Sequence, residues 1–181
     1  DITPAVAREK VERFYGDIPP GPPIAKQQTW VARRTGSRRG TAQDRNITQP
    51  RVYRVWNVPQ YGSAEEPPLD LVAEILGGGR TSRLYKRLIY QDQIATSATA
   101  SDDTNEIGGQ FDVTVTAKPG GDLQAVEKAL DEELQRFLRD GPTEAELQLA
   151  KTRILAQYPR LVERIGGFGG KSDLLARCQT F

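Results

Sequence analysis

A strict alternation of apolar and polar residues in the middle of the chain constrains its fold more than any other feature. In residues 111–118, phenylalanine, two valines and an alanine occupy every second position, with aspartate, two threonines and a lysine between them. Successive side chains of a β-strand point to opposite faces, so this pattern predicts a strand with one buried and one polar face. Residues 94–101 predict a shorter strand before it, and the turn residues Asn105 to Gly109 join the two into an antiparallel hairpin.

The segments before the hairpin predict one more strand and two helices. Residues 51–58 are rich in valine and aromatic residues and predict the first secure strand. A helix opened by Pro67-Pro68 follows, carries an apolar face and ends at the glycine run 77–79. A second helix is expected to begin two or three positions after that run.

Two longer helices are predicted after the hairpin. Asp122 caps the first, whose apolar stripe runs over residues 123–137. Residues 143–146 match a capping box, in which a threonine hydroxyl and a glutamate satisfy each other's free backbone donors. The helix that this box opens should end near Tyr158, before Pro159. The whole order predicts an α+β fold, a layered sandwich of a mainly antiparallel sheet with helices.

Proline and glycine also divide the chain into parts. Thr3 and Pro4 fit the N-cap and first position of a helix that Gly16 can close, and the rigid run 19–23 prevents any regular element from continuing. No terminal breaker precedes Phe181, which favours truncation of the last part. We therefore expect three parts: residues 1–18 as the tail helix of a preceding domain, residues 19–50 as a linker and irregular entry, and residues 51–181 as the main domain.

The 181-residue chain contains no histidine and a single cysteine, Cys178. Without histidine the chain lacks the most common general base near neutral pH and the most common zinc ligand of hydrolases, so no Ser-His-Asp or Cys-His site can form. One cysteine excludes an internal disulfide and a multi-cysteine zinc site. A site of carboxylates alone stays open, although the acidic residues 131–133 favour solvated helix surface. We therefore expect no catalytic residue, no metal ligand set and no cofactor in this chain.

Charge and hydropathy argue against two classes of partner. The formal net charge of +1 supplies no field that would favour nucleic acid, and no apolar run approaches the roughly 20 residues that span a bilayer. Five arginines crowd residues 31–50 and could form a patch for an anionic partner. Since no aromatic residue lies between them, a solvated loop or edge strand is favoured.

The glycine run 77–79 allows two interpretations. A phosphate cradle would require a preceding strand and a Gly-Lys-Ser/Thr ending, and both are missing. A helix C-cap followed by a tight turn that only glycine can make is therefore favoured.

Several segments, in order, resemble the second domain of the halves of pitrilysin-like (M16) peptidases. Residues 76–88, followed by 93–95, are similar to one motif of that domain, and residues 141–147, continued by 150–151, are similar to another. Residues 11–19 resemble the segment that closes the preceding, metal-bearing domain. Together these resemblances cover nearly the whole chain.

The resemblance implies a fold and a chemistry. In that family two layered α+β domains form one half, and two halves close around an unfolded peptide. Zinc is held by an inverted His-x-x-Glu-His helix and a downstream glutamate; it polarises the scissile carbonyl and activates water, with the motif glutamate as general base. None of that set can be placed here, so zinc is expected in the parent protein and not in this chain.

The resemblance also suggests site residues and partners. The substrate-steadying arginine and tyrosine of the partner half fall at Ile89 and Thr96, neither of which can donate as required, although threonine keeps a hydroxyl. The departure favours the second domain of the zinc-bearing half over a half that is degenerate throughout. By similarity to a glycine-rich loop of processing peptidases, Gly77, Gly78 and Gly79 are expected to face substrate.

Two functions follow from the resemblance. The first is a non-catalytic domain of a zinc metalloendopeptidase that helps form the peptide-binding chamber, and the second is a structural subunit domain without peptidase activity. The expected partners are the other M16 domains, in the same chain or in a partner subunit, and a peptide substrate. The resemblance favours a location of the protein in the bacterial envelope.

Overall fold

The computed structural model describes residues 2–23, 25–165 and 169–180. The described residues form helices and strands in an order that confirms the predicted α+β class. These elements are α1 (Pro4–Tyr15), β1 (Arg51–Val58), α2 (Glu66–Gly77), a π-helical segment (Tyr85–Gln91), β2 (Ala95–Thr104), β3 (Gly109–Ala117), α3 (Leu123–Asp140), α4 (Glu144–Glu163) and α5 (Lys171–Thr180).

The three strands form one antiparallel sheet in the order β1-β3-β2. Val115 of β3 lies opposite both Val52 of β1 and Ala98 of β2, and all three side chains are buried. The alternation predicted for β3 is confirmed on its apolar face, while Thr116 on the other face is also buried, at 6% exposure. Because α2, α3 and the π-helical segment all contact the sheet, the core lies between the sheet and these helices.

Leucines and valines from the helices fill this core. Leu84 and Leu88 lie four positions apart around the π-helical segment and are completely buried, as are Val126 and Leu130 of α3. Burying a leucine or valine side chain contributes about 1.5–3 kcal/mol, so these four are central to stability. The stripe predicted for α3 is confirmed, since Phe137 is buried as well.

The helix predicted after the glycine run forms in an unexpected geometry. Its main part is π-helical, a rare form whose wider turns are often found at functional sites. The Asp92 N–H donates to the Arg87 carbonyl at its end, and Gln93 then takes a φ of +53°, the one positive value among the described non-glycine residues. A backbone in this region is strained for a residue with a side chain.

Helix α4 continues beyond the predicted end at Tyr158. It passes through Pro159 and reaches Glu163. Proline removes one helical hydrogen bond, but residues 155–163 are exposed, so water can bind the carbonyl that loses its partner. Among the described helices, none is long and apolar enough to cross a membrane.

The N-terminal part differs from the rest in its packing. Helix α1 starts and ends as predicted: the Val6 N–H donates to the Thr3 hydroxyl, and Gly16 follows the last turn. None of its residues is buried, and Phe14 is 68% exposed. Residues 25–50 contain no helix or strand, so of the two structures favoured for the arginine-rich segment, the loop is found. Hydrogen bonds from Trp30 N–H to the Ile107 carbonyl, 2.7 Å, and from the Asn57 amide to the Ala32 carbonyl, 2.8 Å, hold this loop on the sheet.

Candidate functional site

In the run 77–79, which was predicted to face substrate, a different structural requirement explains the glycine at each position. A Cβ added to Gly77 would overlap the backbone nitrogen of Ala100, so only glycine lets α2 approach β2 this closely. Gly78 caps α2, with its N–H donating to the Glu74 carbonyl. Gly79 has a φ of +87°, a conformation that favours glycine, and no atom lies near its Cβ position. The C-cap and tight turn favoured from the sequence are therefore what the run forms.

The carbonyl groups of the glycine turn are already occupied. The Gly77 carbonyl accepts from Gly79 N–H at 2.8 Å, and the Gly78 carbonyl accepts from the Arg153 guanidinium at 2.5 Å. The Gly79 carbonyl accepts from both the N–H and the hydroxyl of Ser82. A ligand at this turn would consequently meet the exposed surface of residues 79–81 and not these carbonyls.

Helix α4 supports the turn through an ion pair. Arg153 donates to the Glu74 carboxylate at 2.9 Å as well as to the turn, so one guanidinium joins α4 to the last turn of α2. The cavity behind the turn, between α2 and α4, has a volume of about 20 Å³. That is room for about one water molecule, so a substrate cannot enter there.

A second connection joins the two segments that resemble M16 motifs. Arg83, which follows the glycine turn, donates to both carboxylate oxygens of Glu146 at 2.8 and 2.7 Å and to the Gly141 carbonyl at 2.7 Å. Its guanidinium also lies 5.0 Å from the centre of the Phe137 ring, within cation–π range. Both motifs therefore belong to one packed junction.

Glu146 completes the junction at the start of α4. It accepts from the N–H and the hydroxyl of Thr143, which confirms the predicted capping box. The hydrogen bond from Arg83 is the main cause that lowers the pKa of Glu146 to about 2, with the Thr143 bonds adding to it and burial opposing it. The junction therefore holds a permanently charged pair at physiological pH.

The structure does not bring Ile89 and Thr96 into a polar site. Ile89 is partly buried against the core, and Thr96 lies at an irregularity of β2 where the register shifts. The Thr96 hydroxyl donates to the Thr116 carbonyl at 3.3 Å. Neither position offers the donor that the family uses to steady substrate.

Of the acidic residues 131–133, only Glu133 departs from the solvated surface that the sequence favours, since Asp131 and Glu132 stay about half exposed. The first pairs with Arg54 of β1, the second with Arg87 of the π-helical segment, and the third, only 3% exposed, with Arg136. Helical neighbours point in different directions, so Asp131 and Glu132 meet arginines that are distant in sequence, whereas Glu133 is buried and pairs with Arg136 three residues along α3.

Asp102 and Asp103 lie beyond the end of the strand predicted for residues 94–101, yet they are not part of a turn. They belong to β2, which extends to Thr104, three residues beyond the predicted end of the strand. Asp102 shares a face with the core residues Ala98 and Ala100, and burial is the main cause that raises its pKa to about 6, with the nearby acids adding to it. In the sequence, the spacing of two residues between Ala100 and Asp102 was the signal that Asp102 lies on the same face of the strand as the core residues.

The residues of this chain do not fit a hydrolytic zinc site. The full sequence contains no histidine and one cysteine, and within the described ranges no three acidic or cysteine side chains are grouped so that they could hold a metal ion. Catalytic zinc sites of hydrolases have three protein ligands drawn from histidine, acidic residues and cysteine, and they usually include histidine.

Comparison with known proteins identifies the domain. The family model described as the peptidase M16 inactive domain matches residues 1–154. A search of curated protein sequences gave no match. Among solved structures, a protease from Helicobacter pylori is 17% identical with a TM-score of 0.74, over 97% of this chain and 41% of its own.

Two further structures are similar over different lengths. The peptidase M16 inactive domain from Pseudomonas fluorescens is 20% identical, with a TM-score of 0.65, over 98% of this chain and 40% of its own. The inactive peptidase domain of a proposed zinc protease from Bordetella parapertussis is 22% identical, with a TM-score of 0.56, over 67% of this chain and 66% of its own. At these identities the structures establish the fold alone. The chain spans less than half the length of the first two. The match of the family model over most of the sequence shows that the chain belongs to the M16 peptidase family, as a domain of the inactive type.

Proposed function

We propose that this domain helps form the wall of a peptide-binding chamber in a zinc metalloendopeptidase, whose zinc is held by another domain of the parent protein. The observation that carries the proposal is family membership of the inactive type, combined with a sequence that contains no histidine. The Bordetella relative, an inactive peptidase domain of a proposed zinc protease, supports the same division of labour.

Within this domain we propose the glycine turn, Gly77 to Gly79, as the element that faces the peptide. Two independent contacts with α4, through Arg153 and Arg83, hold the flanks of the turn in place. Residues 79–81 at its crest are exposed, and Arg80 forms no ion pair with the described residues. A rigid turn with an exposed crest can contact an extended peptide without paying for its own ordering.

The partners of the domain would be the other M16 domains of its chain or of a partner subunit. Helix α1 supports this, because its apolar residues Val6, Val11 and Phe14 are exposed along one side. We propose that residues 1–18 are the tail helix of a preceding domain, that residues 19–50 link it to this one, and that residues 51–181 form the body. The exposed stripe would then pack on the preceding domain.

Cross-linking in the full-length parent protein tests the position of the turn. A photoreactive amino acid at Thr81 should cross-link to a bound, unfolded peptide substrate, whereas the same amino acid at Gln135 on the exposed face of α3 should not. Equal labelling at both positions, or labelling only at Gln135, would contradict the placement of the turn in the chamber.

The nature of the parent is tested separately. Its sequence before residue 1 should contain His-x-x-Glu-His, and purified residues 1–181 should bind no zinc and cleave no peptide. Stoichiometric zinc with cleavage by residues 1–181 alone would overturn the proposal. A full-length parent without the motif would leave the structural-subunit function, which the internally satisfied carbonyls of the turn also allow.

A further inference from the structure

Three acidic residues meet where the first half of α2 lies on β2. Glu66 and Asp70 belong to α2, one turn apart, and Asp102 belongs to β2 on the face that points to the helices. We call these three residues the acidic interface cluster. Helix α2 and β2 form the most extensive helix–sheet contact of the described residues, so the cluster lies within a principal packing interface.

The carboxylate of Asp102 has no partner. Both of its oxygens are buried, and no described residue donates a hydrogen bond to either. The hydroxyl oxygen of Ser63, just before α2, is likewise buried without a partner among the described residues. A buried carboxylate with no donor is strongly disfavoured in its ionised form, because nothing replaces the water that it loses.

Glu66 of the same cluster differs from Asp102, because both of its carboxylate oxygens accept hydrogen bonds. One of its oxygens accepts from the Thr104 hydroxyl at 2.8 Å, and the other accepts from the Gly62 N–H at 2.6 Å. Glu66 is therefore stabilised as a carboxylate, and it connects the start of α2 to the end of β2. Asp102, in contrast, has no donor to either carboxylate oxygen among the described residues.

Every charged group that acts on Asp102 is acidic. They are Asp70 and Glu66 on α2 and Asp103 on β2 itself, while β3 places the uncharged Phe111 opposite it. Desolvation is the largest cause that raises the pKa of Asp102 to about 6, followed by these three acids in that order. No cation offsets them in the described part of the chain.

We propose that the acidic interface cluster is a proton-controlled clamp, which holds the first half of α2 firmly on β2 when Asp102 is protonated and loosens it when Asp102 ionises. Protonation removes one of the like charges and gives Asp102 a donor that it can offer to a neighbouring carboxylate. The other end of α2 is held by Gly77 on Ala100 and by Arg153, so the loosening is confined to the first turns of the helix. The clamp follows from the packing of this domain and does not depend on the proposed function.

The direction of the pH effect follows from linkage. An acid whose pKa is higher in the folded state stabilises that state at low pH, and this stability is lost as the pH rises through the window from about 4 to about 6. The chain contains no histidine, so no side chain with an ordinary pKa titrates between about pH 5 and 7.5. Asp70 of the same cluster also has a raised pKa, caused by burial and by Glu66, so the response in this window belongs to the cluster and the Asp102→Asn variant separates the part that Asp102 contributes.

Hydrogen exchange of purified residues 1–181 tests the clamp. After correction for the intrinsic pH dependence of exchange, opening of the first turns of α2 should increase about tenfold from pH 5 to pH 7.5. Amides of α3 provide the internal reference and should not change. In Asp102→Asn the increase should fall below about twofold, while Asp103→Asn, the same substitution on the exposed face of β2, should keep most of it.

Asp70→Asn provides a second arm in case Asp102→Asn does not fold. Because Asp70 is exposed and its charge raises the pKa of Asp102, its removal should preserve the fold and reduce the response. An unchanged response in Asp102→Asn, or in Asp70→Asn, would overturn the proposal. So would a wild-type α2 whose protection is the same at both pH values.

Discussion

Arg83 and Glu146 form a two-pronged ion pair, with N–O distances of 2.8 and 2.7 Å, between the segment after the glycine turn and the first turn of α4. The arginine side chain is 9% exposed and the glutamate side chain 23% exposed. Both residues make further bonds, to Gly141 and to Thr143, so the pair closes a network and is not an isolated surface contact. A fully bonded, partly buried ion pair of this kind fixes the relative position of the two elements.

The first prediction concerns the removal of Arg83. We expect Arg83→Ala to lower the free energy of unfolding by about 3 kcal/mol, because it leaves Glu146 without its counter-ion in a partly buried place. Urea denaturation followed by circular dichroism measures the change. Arg139→Ala removes an arginine from a solvent-exposed pair with Asp140 and should leave the urea midpoint unchanged. Equal effects of the two substitutions would show that burial of the Arg83 pair does not matter.

The second prediction is an acid-dependent loss of stability. Because the pKa of Glu146 is lowered from 4.5 to about 2 in the folded state, its contribution is complete above about pH 4.5 and is lost as the pH falls towards 2. We expect up to about 3 kcal/mol to be lost, less any screening by solvent. Unfolding at several pH values should show this slope in the wild type and in Glu144→Gln, and a flatter slope in Glu146→Gln. A slope that persists in Glu146→Gln would assign it to another group.

A third prediction separates two glycines of the turn. Gly77→Ala should lower the free energy of unfolding by about 2–3 kcal/mol, because the new Cβ overlaps the backbone of Ala100 and forces α2 away from β2. Gly79→Ala has open space and meets only the strain of a positive φ, so it should cost about 1 kcal/mol. Chemical denaturation of both variants gives the comparison. A larger cost for Gly79→Ala would mean that backbone strain, and not close packing, explains the run.

The fourth prediction is a stabilising change. Gln93 has a φ of +53°, so Gln93→Gly should relieve strain and raise the free energy of unfolding by about 0.5–1 kcal/mol. Gln135→Gly, in the regular helix α3, should instead lower it by about 1 kcal/mol. Thermal unfolding of the two variants tests the opposite signs. A loss of stability in Gln93→Gly would show that the glutamine side chain contributes more than the strain costs.

The fifth prediction concerns α1, which buries no residue against the rest of the chain. Deletion of residues 1–18 should leave the unfolding midpoint of the remaining chain unchanged within error. It should also lower any tendency of the protein to associate, since the exposed stripe with Val11 and Phe14 is removed. A clear loss of stability would show that α1 is a structural part of this domain.

The elements that could be predicted from the sequence are those whose causes are local. The alternation in residues 111–118, the stripe of α3 and the capping box of Thr143 and Glu146 each depend on neighbours within one or two turns, and the structure confirms all three. The end of α4 was predicted wrongly. Proline removes one hydrogen bond of a helix, but in α4 the carbonyl that loses its partner is exposed and can bind water, so the helix continues.

The long-range relationships of the site could not be read from the sequence. Nothing local to Arg83 indicates that its partner is Glu146, because many acids lie along the chain and only the packing of α4 chooses among them. The glycine run was recognised, but its role in the close approach to Ala100 depends on the position of β2. The position of Asp102 on the core-facing side of β2 could have been predicted, since it continues the two-residue spacing of Ala98 and Ala100.

The sheet order β1-β3-β2 has a consequence for how the chain reaches its native state. The β2–β3 hairpin needs only a short loop, whereas Arg51 must find Thr116 across α2, the π-helical segment and the hairpin itself. Closing a long loop is slower than closing a short one, so we expect the hairpin to assemble first and β1 to dock late. Until β1 arrives, one edge of β3 presents unpaired backbone groups beside apolar side chains. A second copy of the chain could pair with that edge, so aggregation should compete with folding in this interval.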